Sequence, residues 1–160
     1  MPEPLLHIVL FQPRIPQNTG NVARLCIGLG ARLHLVEPLG FELSEKRVRR
    51  AGLDYWPALD LRVHPFSWSP AEIQGRFFLF TKRAPASIFA ARFQRGDWLV
   101  FGSEDTGLPE NILNAHSERC LSLPLYGPIR SQNLASAVAA AGYLALADLH
   151  RNGEIPLPTD

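Results

Sequence analysis

The chain has little of several features that define common protein classes. Among its 160 residues are only two cysteines, and its formal net charge is +1. Cys26 and Cys120 match no metal or redox spacing, so we predict two buried thiols rather than a disulfide scaffold. The near-zero charge argues against a nucleic-acid binder that works by charge alone. Any polyanion would therefore have to meet a local basic patch.

Long apolar runs are also missing. The first run, residues 5–11, has strand length and follows no basic leader. We therefore predict no signal peptide, no membrane span and a cytoplasmic location. The histidines show no zinc spacing, so no metal site is predicted. These histidines are His7, His34, His64, His116 and His150.

Three well-known motifs do not occur. There is no G-x-G-x-x-G after the first strand, no Walker phosphate loop and no G-x-S-x-G elbow, which disfavours dinucleotide enzymes, kinases and esterases. The composition is that of an ordinary globular protein, with 46% hydrophobic and 19% charged residues. We expect a single domain over residues 1–153 and a carboxyl-terminal tail over 154–160.

Short apolar runs alternate with helix-like segments along the whole chain. Strands are predicted at residues 5–11, 33–36, 59–63, 77–80, 98–101 and 120–123. Helices are predicted from a cap at Asn18 or Thr19 to Leu29, after Ser44 up to Gly52, after Ser69, from Pro109 to about residue 114, and from about Asn133 to His150. This alternation predicts an α/β fold, a mostly parallel six-stranded sheet flanked by helices, with ligands at the carboxyl ends of the strands.

Three polar segments follow predicted strands. In the first, residues 15–26 (IPQNTGNVARLC), Asn18 and Asn21 are helix caps or ligand contacts, and Arg24 is either a phosphate clamp or a solvated surface arginine. In the second, residues 101–109 (FGSEDTGLP), Gly102 and Gly107 permit close approach to a ligand, although an ordinary turn would use them too.

The third segment, residues 123–141, is the most informative. Its loop GPIRSQN places a cation, a hydroxyl and two amides where a helix begins. The helix body is rich in alanine and is predicted to pack closely against a neighbour. Helix packing alone does not require such a polar loop, so this segment predicts a ligand site.

Two basic groups offer a candidate RNA surface. One comprises Lys46, Arg47, Arg49 and Arg50, and the other comprises Lys82 and Arg83. A charge run is most often a solvated face, but Tyr55 and Trp56 follow the first group and could stack on bases.

Taken in order, the segments NTGNVARLC, FGSEDTGLP and LPL…RSQNLASAVA resemble the three motifs of the SPOUT superfamily of RNA methyltransferases. The resemblance covers nearly the whole chain and is strongest to a small single-domain branch, the tRNA (cytidine/uridine-34-2′-O)-methyltransferases. It implies a carboxyl-terminal trefoil knot, a homodimer with the active site near the subunit interface, S-adenosyl-L-methionine as cofactor, and a tRNA anticodon stem-loop as substrate.

The resemblance also implies roles for individual residues. Cofactor contacts would come from four positions: Leu79, Gly102, Leu123 and Ser131. Arg24 and Asn133 would be catalytic, Arg24 by orienting the target phosphate and steadying the developing alkoxide, because an arginine holds its proton too tightly to be a simple base. Glu104 would help to order the pocket.

Two positions depart from the family pattern. Gln132 stands where an apolar residue is usual, and Thr106 stands where the family's P-E-T-R-G segment has arginine. Two other functions remain open at this point: 2′-O-methylation of another tRNA or rRNA ribose, and RNA binding without catalysis.

Overall fold

A computed structural model describes residues 2–43 and 56–159. The predicted helix after Ser44, the basic cluster at residues 46–50 and Tyr55 lie outside the described residues. The strands are β1 (Leu6–Phe11), β2 (Ala31–Val36), β3 (Leu61–His64), β4 (Phe77–Phe80), β5 (Trp98–Phe101) and β6 (Cys120–Leu121).

These six strands form one sheet in the order β3-β2-β1-β5-β4-β6, and every neighbouring pair is parallel. The predicted parallel sheet is confirmed. The chain builds outward from β1 through β2 to β3, and the later strands lie on the other side of β1. A crevice at the carboxyl ends of β1 and β5 is thus at the point where the strand order reverses, where α/β folds bind ligands.

Within the described residues, three α-helices accompany the sheet: α1 (Pro16–Leu29), α2 (Glu110–Ala115) and α3 (Leu134–Arg151). The predicted cap at Asn18 or Thr19 is wrong, because α1 begins at Pro16 with Ile15 in the cap position and no side-chain cap bond. Proline suits the first turn because its missing N–H would have no partner there. The predicted start of α3 is confirmed, since the Asn133 side chain accepts a hydrogen bond from the Ser136 N–H.

The small residues of α3 allow close contact with α1. A Cβ at Gly142 would lie 2.6 Å from the Leu29 Cδ1 atom, so a larger residue would push the two helices apart. Ala141 and Ala145 on α3 are fully buried. The close packing predicted for the alanine-rich helix is confirmed, because its buried face packs against α1 of the same chain.

Strand β6 is shorter than predicted because the chain leaves the sheet after Leu121. The Ser122 N–H donates to the Ala86 carbonyl at 2.8 Å, and the Ser122 carbonyl accepts from the Ile88 N–H at 2.9 Å. These bonds bind the chain to the segment after β4 rather than to a neighbouring strand end. Leu123 is therefore placed beside the crevice and not within the sheet.

Both cysteines are buried free thiols, as predicted. Burial raises the pKa of the Cys26 and Cys120 thiols, which keeps both in the unreactive protonated form. Within residues 2–43 and 56–159, no helix is long and apolar enough to cross a membrane. The same part of the chain contains no group of three or more metal-binding side chains.

Three histidines form a hydrogen-bonded row across one face of the sheet. His7 Nδ1 lies 2.9 Å from His34 Nε2, and His34 Nδ1 lies 2.8 Å from His64 Nε2. Trp98 stacks on the His7 ring with centroids 4.1 Å apart. Each of these short contacts needs one nitrogen that carries a proton and one that accepts it, and three neutral rings with matching tautomers satisfy both contacts.

Burial lowers the pKa of His7 to about 4, and the nearby Arg32 guanidinium acts in the same direction. Burial also lowers the pKa of His34, with further lowering by His7 and His64. The pKa of His64 is lowered too, chiefly by burial.

We expect this row to make the fold sensitive to acid. Because these pKa values lie below those of histidine in the unfolded chain, the unfolded state takes up protons first as the pH falls from about 6.5 toward about 4, and stability is lost over that range. Thermal unfolding followed by circular dichroism at a series of pH values measures the slope.

His34→Gln should flatten this pH dependence, although it also lowers stability at neutral pH. His150→Gln, at an exposed position near the end of α3, is the matched control and should keep the wild-type slope. Equal slopes for the wild type and His34→Gln would contradict the assignment.

Candidate active site

A cavity of about 710 Å³ opens at the carboxyl ends of β1, β4 and β5. The three polar segments singled out in the sequence meet at this cavity, together with the residues that follow β4. Its lining consists of Ile15, Asn18, Phe80, Thr81, Lys82, Arg83, residues 101–108, Leu113, Leu123, Leu125, residues 131–134 and Ala137.

A chain of side-chain hydrogen bonds joins the three segments. Asn133 Nδ2 donates to Asn18 Oδ1 at 3.0 Å, and Asn18 Nδ2 donates to Glu104 Oε2 at 3.2 Å. The three residues come from the loop before α3, the first turn of α1 and the loop after β5. Each contact spans more than 80 residues of sequence, so the chain fixes loops that have no local reason to meet.

Glu104 fastens this chain to the backbone. Its carboxylate accepts the Arg14 N–H at 2.8 Å and the Ile15 N–H at 2.7 Å, in addition to the Asn18 amide. Bonds from backbone N–H groups to a carboxylate are charge-assisted and stronger than neutral ones. The predicted ordering role of Glu104 thus has a geometric basis, and Asn18 links to the site instead of capping its own helix.

The loop after β5 is folded tightly on itself. A Cβ at Gly102 would overlap the backbone of Gly107 and Leu108, and Gly107 has a φ of +68°, in the left-handed region. The Gly107 N–H donates to the Ser103 carbonyl at 3.0 Å. Glycine is needed at position 102 because backbone there packs directly on backbone.

Ser103 and Thr106 brace the outer side of this loop. The Ser103 Oγ donates to Asp105 Oδ1 at 2.9 Å and lies 2.7 Å from the Thr106 Oγ1 atom. This hydrogen bond from Ser103 is the main reason that the pKa of Asp105 is lowered, so Asp105 is ionised at the cavity rim. Thr106, which departs from the usual arginine, holds the loop together here.

The structure brings four predicted site residues to the cavity: Gly102, Leu123, Ser131 and Asn133. Leu79 is completely buried in β4, and the cavity wall begins one residue later at Phe80. Arg24 is exposed on α1 and is not among the lining residues of this cavity. The functional roles assigned to all six stay predictions.

The sequence analysis did not place residues 80–83 at the site. Lys82 and Arg83 were considered only as part of a basic surface. They line the cavity because β4 lies beside β5 in the sheet, an adjacency that strand order along the chain does not reveal. Their position directly after a buried strand was the available signal.

The lining fits a nucleoside cofactor such as S-adenosyl-L-methionine. The volume is in the range of small-molecule sites, and apolar side chains, including Phe80, Leu123 and Leu125, stand beside a few polar groups. Gly102 and Gly107 both line this wall, and the close backbone contact at Gly102 keeps the loop folded against itself there. Ser131 and Asn133 supply a hydroxyl and an amide at the same wall.

Comparison with known proteins assigns this architecture to a class of RNA-modifying enzymes. Residues 5–143 match the model of the SpoU rRNA Methylase family, so the chain belongs to that family.

Within this family, the chain is similar to enzymes that methylate tRNA. The tRNA (cytidine(34)-2′-O)-methyltransferase of Burkholderia ambifaria is 44% identical over 146 residues, covering 88% of this chain and 94% of the relative. The enzyme of the same name from Escherichia coli is 42% identical over 154 residues, covering 94% and 98%. A solved structure that gives insights into the 2-OH methylation of C/U34 on tRNA is 50% identical, has a TM-score of 0.83 and covers 91% of this chain and 97% of that chain.

We expect Asn18→Ala to loosen the site. The substitution leaves the Asn133 amide without its partner and removes one bond to Glu104, so the free energy of unfolding should fall by about 1–3 kcal/mol. Cofactor affinity, measured by calorimetry with S-adenosyl-L-methionine, should weaken several-fold because the three loops are less well held.

Asn114→Ala, at an exposed position in α2, is the control. It should change neither the unfolding free energy nor the affinity. Wild-type cofactor affinity in a folded Asn18→Ala protein would refute the role of the hydrogen-bond chain.

Proposed function

We propose that this chain is an S-adenosyl-L-methionine-dependent methyltransferase that methylates the ribose 2′-hydroxyl of nucleotide 34, a cytidine or modified uridine, in tRNA. The observation that carries the proposal is the joining of three distant segments at one cavity through Asn133, Asn18 and Glu104. The names of the relatives at 42–44% identity supply the substrate.

The chemistry asks little of the protein beyond positioning. When bound, the cofactor would supply an electrophilic methyl group on a sulfonium. Transfer would break a sulfur–carbon bond and form an oxygen–carbon bond, and the hydroxyl proton would pass to a neighbouring phosphate of the RNA. The cavity walls must hold both reactants in line and exclude water, and alignment alone accounts for much of such a rate gain. Gly102, Leu123 and Ser131, which line the cavity, are proposed to hold the cofactor, with Leu79 supporting the wall from inside β4. Asn133 is proposed to order the reacting groups.

We further propose that the carboxyl-terminal part forms the trefoil knot implied by the SPOUT resemblance. The segment after β6 supports this. It leaves the sheet at Ser122, bonds to Ala86 and Ile88 after β4, and then lines the same cavity as the loop after β5. A chain that returns among the loops of earlier strands is the arrangement that a knotted cofactor site requires.

A homodimer is the assembly we propose. Large apolar side chains remain exposed in the described chain, and a second copy would cover them; they include Phe89, Tyr126, Ile129, Tyr143 and Leu144. Arg24 lies outside the cavity lining of its own chain, so we propose that it acts at the cavity of the partner subunit. There it would orient a substrate phosphate and steady the developing alkoxide.

The anticodon stem-loop of tRNA is the proposed binding partner, and the cytoplasm is the proposed location. Methylation of another ribose is the second candidate, because the matched family is described as rRNA methylases and the cavity reports the cofactor rather than the nucleotide.

The proposed function specifies the nucleotide that is methylated. Purified protein with labelled S-adenosyl-L-methionine should methylate a tRNA with cytidine 34, and mass spectrometry of nuclease fragments should locate the methyl group on that ribose. A tRNA with a 2′-deoxy nucleotide at position 34 is the matched control and should stay unlabelled.

Other outcomes separate the alternatives. Label at a different ribose would favour the second candidate. Failure to bind S-adenosyl-L-methionine in calorimetry would leave RNA binding without catalysis.

The proposed role of Arg24 requires its guanidinium and not only its positive charge. Arg24→Lys keeps the charge but removes the planar, two-pronged donor, so turnover should fall by about 100-fold or more while cofactor affinity stays unchanged. Retained turnover would exclude the proposed role.

Mixed dimers test whether the active site is shared. Arg24→Lys and Asn133→Ala proteins, each expected to be nearly inactive alone, are unfolded together and refolded. If Arg24 serves the partner's cavity, half of the dimers carry one intact site, and activity should recover to about one quarter of wild type. No recovery would place Arg24 at the cavity of its own chain.

A further inference from the structure

One ion pair stands at the mouth of the cavity and has no part in the mechanism described so far. Arg83 Nη1 donates to Glu110 Oε1 at 2.5 Å. Arg83 belongs to the cavity wall that follows β4, and Glu110 is the first residue of α2. A turn in which the Ala84 N–H donates to the Thr81 carbonyl at 3.2 Å sets the position of Arg83 at this rim.

The ion pair between Arg83 and Glu110 is weak enough for a phosphate to replace Glu110. The side chains of Arg83 and Glu110 are 59% and 64% exposed, and an ion pair so exposed contributes only about 0–1 kcal/mol. The bond to Glu110 uses one of the five N–H donors of the guanidinium. An incoming phosphate could therefore take two parallel hydrogen bonds from Arg83 at little cost.

The charges around the mouth leave few groups able to receive a polyanion. Asp105, in the loop after β5, is ionised at the rim, and Glu104 accepts hydrogen bonds from the backbone of Arg14 and Ile15. Lys82 and Arg83 are the cationic side chains among the described lining residues. An RNA strand whose ribose enters the cavity carries phosphates on both sides of that ribose, so one of them must pass this rim.

We propose that Arg83 binds an RNA phosphate beside the methylated nucleotide. Before RNA binds, the ion pair with Glu110 holds Arg83 at the cavity mouth, and the phosphate then replaces Glu110 as its partner. The inference rests on the proposed RNA methyltransferase function and adds a positioning residue to it. Phosphate contacts set the register of a nucleic acid without reading its bases. Arg83 would thereby fix which ribose reaches the cavity.

The test uses substitutions with opposite expected signs. Arg83→Ala should weaken tRNA binding roughly tenfold, measured by filter binding, and raise the KM for tRNA while leaving the affinity for S-adenosyl-L-methionine unchanged. The slope of log Kd against log salt concentration should become shallower by roughly 0.7 to 1, the loss of one phosphate contact. Glu110→Gln should tighten tRNA binding, because the competitor for Arg83 is lost.

Arg95→Ala is the matched control. Arg95 is also exposed and bonded to a glutamate residue, Glu154, but it precedes β5 and so lies at the other end of the strands. It should bind tRNA like the wild type.

Two results would overturn the inference: equal tRNA binding by Arg83→Ala and Arg95→Ala, or weaker binding by both Arg83→Ala and Glu110→Gln, which would make the pair purely structural. A wild-type protein that methylates no tRNA would instead refute the proposed function, whatever the variants do.

Discussion

The candidate site depends on how one carboxylate is used. Glu104 accepts two backbone N–H groups from the loop after β1 and the amide of Asn18, which in turn accepts from Asn133. These bonds join three loops that are distant in sequence and hold them together along one wall of the cavity. The carboxylate of Glu104 thus holds the loops together. Attraction of an anionic substrate is left to Lys82 and Arg83 at the rim.

The sheet and the helices hold Glu104, Asn18 and Asn133 close enough to form their hydrogen-bond chain. Parallel strands direct all their carboxyl ends to one edge, so the loops after β1, β4 and β5 meet without long excursions. The close packing of α3 on α1 through Gly142 holds Asn133 and Asn18 at hydrogen-bond distance, since the two asparagines lie at the beginnings of these helices. The tight loop at Gly102 packs backbone on backbone and so fixes the cavity wall that follows β5.

The rim of the cavity divides its charges between two tasks. The hydrogen bond from Ser103 favours the ionised form of Asp105 in the loop after β5, while Lys82 and Arg83 line the cavity after β4. Such a mouth suits an enzyme that must admit a cationic cofactor and an anionic strand at the same place. The histidine row on β1, β2 and β3 has a different role, because its neutral rings join strands at the other side of the sheet and bear on stability.

Local sequence patterns were enough to predict the parallel sheet, the beginning of α3 at Asn133 and the three polar segments. They suffice for such features because apolar runs, prolines and capping residues act on neighbours only a few residues away. They misjudged Asn18, whose partners are 86 and 115 residues away. They also could not place Phe80 to Arg83 at the cavity, or Arg24 outside it. Those outcomes depend on which strands lie side by side and on which loops the close packing of α1 and α3 brings into contact, and only the tertiary structure decides such long-range neighbours.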